Sequence, residues 1–373
     1  MHILFTSSWF PTEKNIFAGD FVQRHAKAVS LLAKVTVLHI ESGNYRNKKL
    51  VINKLNDNYE ERIIYIPESN FKILTQIKRI IEYNKAVKSI EKYDLIHTNV
   101  IYANTFWTLI RKIFYREKYV LTEHWTEYDA KSGYKLSILR KIFAEIIVKN
   151  ASYIFPVSQS LQIGMQQNGL QNANFQVIPN VVDTEIFRLK TIEKTSIKKF
   201  LHVSSLDDKQ KNISGIIKVI KRLKNDNFPF EFFIVGSTNF DNLQLKIVEN
   251  QLDNVFLLGS LPHQKVADIM QKSDCLVLFS NYENQPCVIS EAFACGLPVI
   301  STNLGGISEF FPENFGFLIE KNNENELYDA MKKVIENHTF APKSELHNYA
   351  VQTFSNQIIA KKLVSYYQKA VKA

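Results

Sequence analysis

The chain alternates short apolar runs with longer amphipathic stretches. In the first half, "HILFTS" (2–7) and "KVTVLHI" (34–40) predict buried strands, and "AGDFVQRHAKAVSLLA" (18–33) predicts a helix between them. Further strands are predicted at "RIIYIP", "DLIHTN", "KYVLTEH" and "SYIFPVS", with helices around 75–92, 101–115 and 135–149. Strands separated by helices of this length predict a parallel sheet that helices cover on both faces.

The second half repeats this pattern. Its predicted strands are "KFLHVSS", "FEFFIVG", "NVFLLGS", "CLVLFS", "LPVIST" and "FGFLIE", again with helices between them. A Pro-Asn pair and a polar run in "VIPNVVDTEIFRLKTIEKTSIKKF" interrupt the alternation between the halves. The fold class is therefore α/β, with two facing, Rossmann-like, doubly wound parallel-sheet domains and a ligand cleft at the carboxyl ends of their strands.

Length and composition agree with two globular domains. The chain has 373 residues, of which 45% are hydrophobic and 22% charged. The start resembles no signal peptide, and no apolar stretch approaches the ~20 residues of a membrane span, so we expect a cytoplasmic protein. Cys275, Cys287 and Cys295 lack the spacing of zinc ligands, so we expect reduced, structural thiols.

Positive charge is concentrated in the first half. Residues 1–182 carry 24 Lys and Arg against 15 Asp and Glu, whereas 183–373 carry 22 of each, so the first half holds the whole net charge of +9. A basic half suggests an anionic partner: nucleic acid, an anionic membrane surface or a phosphorylated substrate. Solvated lysines on helix faces explain the excess equally well.

The first strand lacks the glycine-rich loop of dinucleotide-binding proteins. Gly19 is the only glycine in "SSWFPTEKNIFAGDF", which argues against an NAD-dependent oxidoreductase.

Two acids, Glu283 and Glu291, lie in the otherwise apolar segment "SNYENQPCVISEAFACGLPVIST". Pro286 suits the first position of a helix that runs to about 295 and ends at Gly296. Backbone N–H groups near Val288 at this helix start suit a phosphate, and carboxylates beside an anion suit neutral hydroxyl groups. A nucleotide sugar, with its diphosphate, ribose and hexose, supplies both.

Two lysines are expected at the same edge of the second sheet. Lys209 and Lys211 lie in "HVSSLDDKQKNISG", directly after the first strand of the second half. A lysine there can neutralise a diphosphate without a metal ion.

These segments resemble a known family. "ENQPCVISEAFACGLPVISTNLGGISEF", "VIPNVVDTEIF" and "LTEHWTEY" are similar to the donor signature, the interdomain segment and the histidine-bearing strand of family 4 retaining glycosyltransferases (glycosyl transferases group 1), which have the GT-B fold. The resemblance extends over nearly the whole chain. It implies an acceptor-binding domain at 1–182, joined by the returning C-terminal helix 355–373, and a donor-binding domain at 183–354.

The resemblance also implies residue roles. Glu291 would accept hydrogen bonds from the ribose, Glu283 from the donor sugar, and Lys211 would bind the diphosphate. His124 would face the reacting sugar. The implied catalytic residues are Glu283, His124 and Lys211, and the implied donor-binding residues are Gly19, Ser205, Lys209, Lys211, Glu283, Asn284, Gln285, Val288 and Glu291, with Gly305, Gly306 and Glu309 as weaker candidates.

Three positions depart from the family pattern. Ser205 stands where the family commonly has an arginine, so Lys211, with Lys209, would carry more of the phosphate charge. Ala18-Gly19 replaces a Gly-Gly pair, and "NQP" replaces a glycine-rich stretch after Glu283, which bears on the identity of the donor sugar.

The expected function is metal-independent transfer of a hexose, with retention, from a nucleoside diphosphate sugar to a glycan or lipid-linked acceptor in cell-surface polysaccharide synthesis. UDP-sugars are favoured and GDP-sugars are the second choice; no cofactor is expected. Basic amphipathic stretches such as "QIKRIIEYNKAVKSI" and "KLSILRKIFAEIIVKN" suit peripheral association with the inner face of the plasma membrane. His97 is assigned to structure, and Glu123 is left without a catalytic role.

Two alternatives remain open at this point. One is a nucleotide-sugar epimerase or a phosphorylase on the same fold. The other is a nucleic-acid-binding protein that uses the basic half, which would leave the two glutamates unexplained and lacks a recognised nucleic-acid signature.

Overall fold

The computed structural model describes residues 1–128, 136–191, 196–236 and 240–372. The chain forms two compact units, Met1–Val181 with Asn356–Ala373, and Val182–Ser355. These bounds lie one residue from the expected ones. Lys135 and Ala373, at the ends of two predicted helices, lie outside the described residues.

Unit 1 contains a seven-stranded sheet in the order β3-β4-β2-β1-β5-β6-β7. All neighbouring pairs are parallel except β3 with β4. The strands are β1 (His2–Ser7), β2 (Lys34–Gly43), β3 (Lys49–Asn56), β4 (Tyr59–Pro67), β5 (Leu95–Asn99), β6 (Tyr119–Glu123) and β7 (Ile154–Pro156).

The edge strand β3 is the one departure from the predicted all-parallel sheet of unit 1. It forms an antiparallel hairpin with β4, and most of its side chains are exposed. An edge strand with one solvated face carries polar residues, and "KLVINKLN" therefore lacks the continuous apolar run that identified the other strands.

Helices cover both faces of this sheet. The helices of unit 1 are α1 (Asp20–Val29), α2 (Lys72–Val87), α3 (Ala103–Tyr115), α4 (Ile138–Asn150), α5 (Gln159–Gln167) and α13 (Asn356–Lys372). One core lies under α2, α3 and α4, whereas a second core on the opposite face is shared by α1 and α13. Helix α13 thus joins the first unit, although 174 residues of the second unit precede it.

A buried histidine connects α13 to the sheet. The ring nitrogens of His97 lie 2.5 Å from the Tyr367 hydroxyl and 2.6 Å from the Thr122 hydroxyl oxygen, and all three side chains are buried. The structural assignment of His97 agrees with these contacts.

Unit 2 contains a six-stranded parallel sheet in the order β10-β9-β8-β11-β12-β13. Its strands are β8 (Lys198–Val203), β9 (Phe230–Val235), β10 (Val255–Leu257), β11 (Cys275–Leu278), β12 (Val299–Thr302) and β13 (Gly316–Ile319). Its helices are α6 (Asp208–Lys211), α7 (Ile213–Asn225), α8 (Phe240–Glu249), α9 (His263–Lys272), α10 (Cys287–Ala294), α11 (Glu324–Ile335) and α12 (Lys343–Phe354). Every strand predicted in this half is present.

The sequence led us to expect reduced, structural cysteines and no membrane-spanning segment. Cys275 and Cys295 are buried, Cys287 is half-buried, and all three are free thiols. Over the described ranges, no helix combines the length and the apolar character that crossing a bilayer requires.

Candidate active site

The strand order of unit 2 brings three loops together. Strands β8, β11 and β12 are adjacent and parallel, so the loops that follow them meet at the carboxyl edge of the sheet. Ligands of open α/β sheets bind at such an edge. The loops carry Lys211, Glu283 and Gly305, respectively.

The loops after β8 and β11 are joined by hydrogen bonds. The Asn281 backbone N–H donates to the Gln210 carbonyl at 2.7 Å, and the Asn281 side-chain amide donates to the Lys209 carbonyl at 3.0 Å. Asp207 caps the short helix α6 through the Lys209 N–H at 3.2 Å. Lys211, at the end of α6, is therefore held beside the loop that carries Glu283.

Glu283 and Lys211 form a buried ion pair. The Lys211 ammonium contacts Glu283 Oε1, with side-chain exposures of 13% for the lysine and 6% for the glutamate. The hydroxyl of Ser280, which is fully buried, donates to the same carboxylate oxygen at 2.8 Å. Because an unpaired buried carboxylate is costly, these two contacts stabilise Glu283 in its position.

Glycines of the third loop allow it to pack on the backbone at Glu283. Gly305 has φ +50°, and a Cβ there would lie 2.0 Å from the Glu283 carbonyl oxygen. The Gly306 N–H donates to the Asn284 carbonyl at 2.9 Å. Gly305 thus has a structural reason, a close approach of two backbones, which a side chain would prevent.

Helix α10 brings the second glutamate to this region. Glu291 is buried and lies just over one turn inside α10, next to the fully buried Ala292 and Phe293. Val288 is in the first turn, where backbone N–H groups have no acceptor within the helix. Pro286 is the N-cap, with φ −67° and ψ 121°, so the expectation that it occupies the first helical position is wrong by one residue.

The side chains of Asn284 and Gln285 are also buried in this loop. The Gln285 amide lies 3.4 Å from the Ser290 hydroxyl. Two other predicted donor-binding residues differ: Ser205 and Lys209 are exposed, and their side chains are not among those buried around Glu283.

A neutral histidine lies beneath the loop after β8. The ring of His202 hydrogen-bonds to the Val277 carbonyl at 2.8 Å and the Ser204 hydroxyl at 2.7 Å. Burial and the positive charge of Lys211 lower the pKa of His202 to about 4, although the hydrogen bond to the Val277 carbonyl opposes the shift. His202 is therefore neutral near pH 7, whereas the neighbouring Lys211 carries a positive charge.

In unit 1, His124 directly follows β6. Its ring packs against Phe21, with centroids 4.3 Å apart, and against His25 at 5.5 Å. Burial lowers the pKa of His124 well below its usual value, and the neighbouring His25 and His97 lower it further, whereas Asn180 opposes the shift. His124 is consequently neutral near pH 7, and can exchange hydrogen bonds with a hydroxyl group.

Gly19 is required by the loop after β1. It has φ +65° and is the N-cap of α1, and a Cβ there would lie 2.3 Å from the Trp9 carbonyl oxygen. This close approach accounts for the glycine without a ligand.

Glu123 organises the loop that carries His124. Its fully buried carboxylate accepts backbone N–H bonds from Ile101 at 2.8 Å, and from His124 and Trp125 at 2.9 Å each. Burial raises the pKa of Glu123 to about 7, although the three N–H groups oppose the shift. The sequence interpretation missed this function because an acid at a strand end resembles any polar loop residue.

Other residues that build the site were also missed. Ser280 holds Glu283 and Asn281 joins the two loops; the only sequence signal for them was their place at the end of an apolar run. Within the described ranges, no three carboxylate, imidazole or thiol side chains are arranged to hold a metal ion.

Comparison with known proteins identifies the family. A family model described as glycosyl transferases group 1 matches residues 183–353, and one described as glycosyltransferase family 4 matches residues 34–186. The chain belongs to these glycosyltransferase families. This glycosyltransferase is 29% identical over 310 residues to an uncharacterised glycosyltransferase of Methanocaldococcus jannaschii, with 80% of this chain and 84% of the relative covered. It spans about half the length of several other curated relatives.

Solved structures share its fold. Sucrose-phosphate synthase from Thermosynechococcus elongatus has a TM-score of 0.83 at 18% identity, covering 99% of this glycosyltransferase and 98% of the synthase. HepE of Anabaena, solved with UDP-glucose, has a TM-score of 0.74 at 18% identity, covering 99% and 100%. The predicted GT-B fold and transferase class are confirmed, and the epimerase, phosphorylase and nucleic-acid alternatives are not favoured.

Because the pKa of Glu123 is raised, the stability of the fold should depend on pH between about 4.5 and 7. The folded state binds a proton more tightly than the unfolded chain, so this group stabilises the fold below pH about 4.5 and the contribution is lost as pH rises to about 7. The melting temperature of the wild type should therefore fall relative to that of Glu123→Gln as pH rises from 4.5 to 7. Buried histidines titrate in both proteins and cancel. If the melting temperatures of the two proteins change with pH in parallel, the pKa of Glu123 is not raised in the folded state.

Proposed function

We propose that this glycosyltransferase moves a hexose from a nucleoside diphosphate sugar to an acceptor hydroxyl, with retention of the anomeric configuration. The observation that supports this most is the arrangement at the edge of the unit 2 sheet. Two buried carboxylates, Glu283 and Glu291, lie on one loop and the helix that follows it, and Lys211 neutralises one of them. A nucleotide sugar needs hydroxyl acceptors and a phosphate-binding cation together, and this arrangement supplies both.

The donor roles are those that the family resemblance implies, and the charges of the three side chains agree with them. Lys211 binds the diphosphate, aided by the N–H groups in the first turn of α10 near Val288. Glu283 accepts hydrogen bonds from the hydroxyls of the donor sugar, and Glu291 from the ribose. Asn284 and Gln285 line the sugar pocket, where they replace the glycine-rich stretch common in the family.

The ion pair prepares the site for its ligand. Before the donor binds, Glu283 compensates the charge of Lys211 in a buried environment. A bound diphosphate becomes the second anion near the ammonium, so Glu283 is then available to the sugar. Preorganisation of this kind lowers the cost of orienting both groups when the donor arrives.

In the transfer itself, the bond between the anomeric carbon and the diphosphate oxygen breaks, and a bond from that carbon to the acceptor oxygen forms on the same face. The acceptor proton goes to the leaving diphosphate. Lys211 stabilises the negative charge that develops on this leaving group, as preorganised cations do in other enzymes. No metal ion or cofactor takes part in the proposed reaction.

The acceptor is bound by unit 1. His124 is held by the Glu123 loop and is neutral near pH 7, which suits a hydrogen bond to a sugar hydroxyl. We propose a glycan or lipid-linked acceptor, in cell-surface polysaccharide synthesis. UDP is the favoured nucleotide, since HepE, which has the same fold, was solved with UDP-glucose, and GDP is the second choice.

Removing the lysine tests the phosphate site. Lys211→Ala should weaken UDP binding, measured by calorimetry, by ~1.5–3 kcal/mol, the scale of a charge-assisted hydrogen bond. Lys209→Ala is the matched control: it removes an exposed lysine two residues away and should change the affinity by much less. Equal affinities for wild type and Lys211→Ala would place the phosphate elsewhere. Circular dichroism checks that both variants are folded.

Metal dependence provides a second test. Because a lysine and a helix start neutralise the diphosphate in this proposal, EDTA should leave donor binding and transfer almost unchanged. Sugar transfer is followed with labelled UDP-sugars in the presence of chelator and then with added magnesium or manganese. Loss of activity in EDTA with recovery on addition of either metal would overturn the metal-independent reaction.

A further inference from the structure

Exposed apolar side chains are concentrated on three helices of unit 1. Half of the large apolar residues that are exposed in the described part of the chain belong to α2, α3 and α4 or to the residue before α2 or α3. Single exposed apolar residues are ordinary, whereas a large contiguous group marks an interaction site.

On α2, the exposed apolar residues form a stripe. Leu74, Ile77 and Ile81 follow a spacing of three and four residues and are all exposed, whereas Thr75 and Tyr83 on the opposite side are buried. This spacing places the three side chains on one face of the helix, away from the sheet.

Helix α3 has a similar stripe. Tyr102, which precedes the helix, and Phe106, Ile113 and Phe114 on it are exposed, and Phe114 is 75% exposed. Trp107, next to Phe106, is fully buried under the helix. The largest residue of α3 thus packs in the core, and the other aromatic side chains face solvent.

Helix α4 continues the pattern. Ile138, Leu139, Ile142 and Ile146 are exposed at helical spacing, and Leu139 is 81% exposed. Ile147 and Val148 are fully buried on the opposite side. The helix therefore has apolar side chains on both its buried and its solvent faces.

The three helices are neighbours. The rings of Tyr83 on α2 and Trp107 on α3 stack with centroids 5.0 Å apart, and Phe106 on α3 lies 6.1 Å from Phe143 on α4. We call their outward surface, with the exposed apolar residues just described, the α2–α4 face. Along this face, α2 alone is about 24 Å long at 1.5 Å per residue.

The charge of this face indicates its partner. The three helices carry nine Lys and Arg residues against two Glu, and three of these cations, Lys85, Arg111 and Arg140, pair with carboxylates. Among the described residues, no carboxylate pairs with Lys78, Lys112 or Lys149. Protein–protein interfaces are depleted in lysine, whereas apolar helix faces flanked by lysine insert at the surface of anionic bilayers.

The face also reaches the acceptor edge of the sheet. Tyr102, where the α3 stripe begins, lies 6.4 Å from Trp9 and 6.0 Å from Trp125, between ring centroids. Trp125 directly follows His124, the proposed acceptor-side histidine. An apolar path of aromatic rings thus runs from the α2–α4 face to the loop that carries His124.

We propose that the α2–α4 face docks on an anionic membrane surface, and that the acceptor is a saccharide on a lipid carrier held in that membrane. The docking rests on the face alone, whereas the acceptor class rests on the proposed function. Leu139 and Phe114 enter the interfacial region, the lysines contact lipid phosphates, and the Trp9, Tyr102 and Trp125 rings receive the lipid-proximal part of the acceptor.

Flotation of the full chain with vesicles tests the docking. Vesicles of phosphatidylcholine mixed with phosphatidylglycerol should bind the protein at low salt and release it as salt rises, because charges are screened over about 8 Å at physiological ionic strength. Phosphatidylcholine vesicles should bind it much more weakly. No binding to anionic vesicles at low salt, or equal binding to both vesicle types, would overturn the proposal.

Variants locate the surface. Phe114→Glu with Leu139→Glu should reduce vesicle binding about tenfold or more, and Lys112→Gln with Lys149→Gln about fivefold for each lysine removed. The control is Leu31→Glu with Leu32→Glu, which changes residues that are 55% and 52% exposed after α1, on the opposite side of the sheet. The proposal would be overturned if the Phe114/Leu139 variant and the control bind vesicles equally. It would also be overturned if the wild type is a dimer and the Phe114/Leu139 substitutions, but not the control substitutions, dissociate it.

Calorimetry with UDP on the same samples separates the two proposals. The vesicle variants should bind UDP as the wild type does, since the changed residues lie in the other unit. A wild type that binds vesicles but not UDP would contradict the proposed donor and leave the docking intact. A wild type that binds UDP but not vesicles would contradict the docking and leave the proposed donor intact.

Discussion

Lys211 and Glu283 are 72 positions apart in the sequence, yet their buried ion pair fixes the geometry of the candidate donor site. Burying either charge alone would cost far more than burying the pair, so each residue constrains where the other can lie. Asn281 joins the same two loops through backbone carbonyls, and Gly305 lets a third loop pack on the Glu283 backbone. The proposed donor roles all depend on this arrangement.

Most of the fold was predictable because buried parallel strands are continuous apolar runs. Every predicted strand is present, and the returning helix α13 joins unit 1, as the family resemblance implied. Strand β3 escaped detection since an edge strand with a solvated face carries polar residues. The position of Pro286 was wrong by one residue, which is the usual uncertainty at a helix end.

The site was predictable only in part. Glu283 and Glu291 could be found because carboxylates in an apolar segment need an explanation, and Lys211 because it follows the first strand of the second half. Glu123 and Ser280 could not, since their importance comes from hydrogen bonds that only the folded chain forms. Likewise, the sequence placed Lys209 with Lys211, but helix α6 leaves Lys209 exposed and holds Lys211 against Glu283.

The most direct test of the central claim compares Glu283→Gln with Glu291→Ala for UDP affinity and for transfer rate. If the glutamates bind different parts of one donor, Glu291→Ala should weaken UDP binding by ~1.5–3 kcal/mol. Glu283→Gln should keep UDP affinity, or raise it since Lys211 loses a competing anion, while transfer falls roughly tenfold to a hundredfold. If both variants bind UDP and transfer sugar like the wild type, the ion pair is a structural feature of a loop and the donor site lies elsewhere.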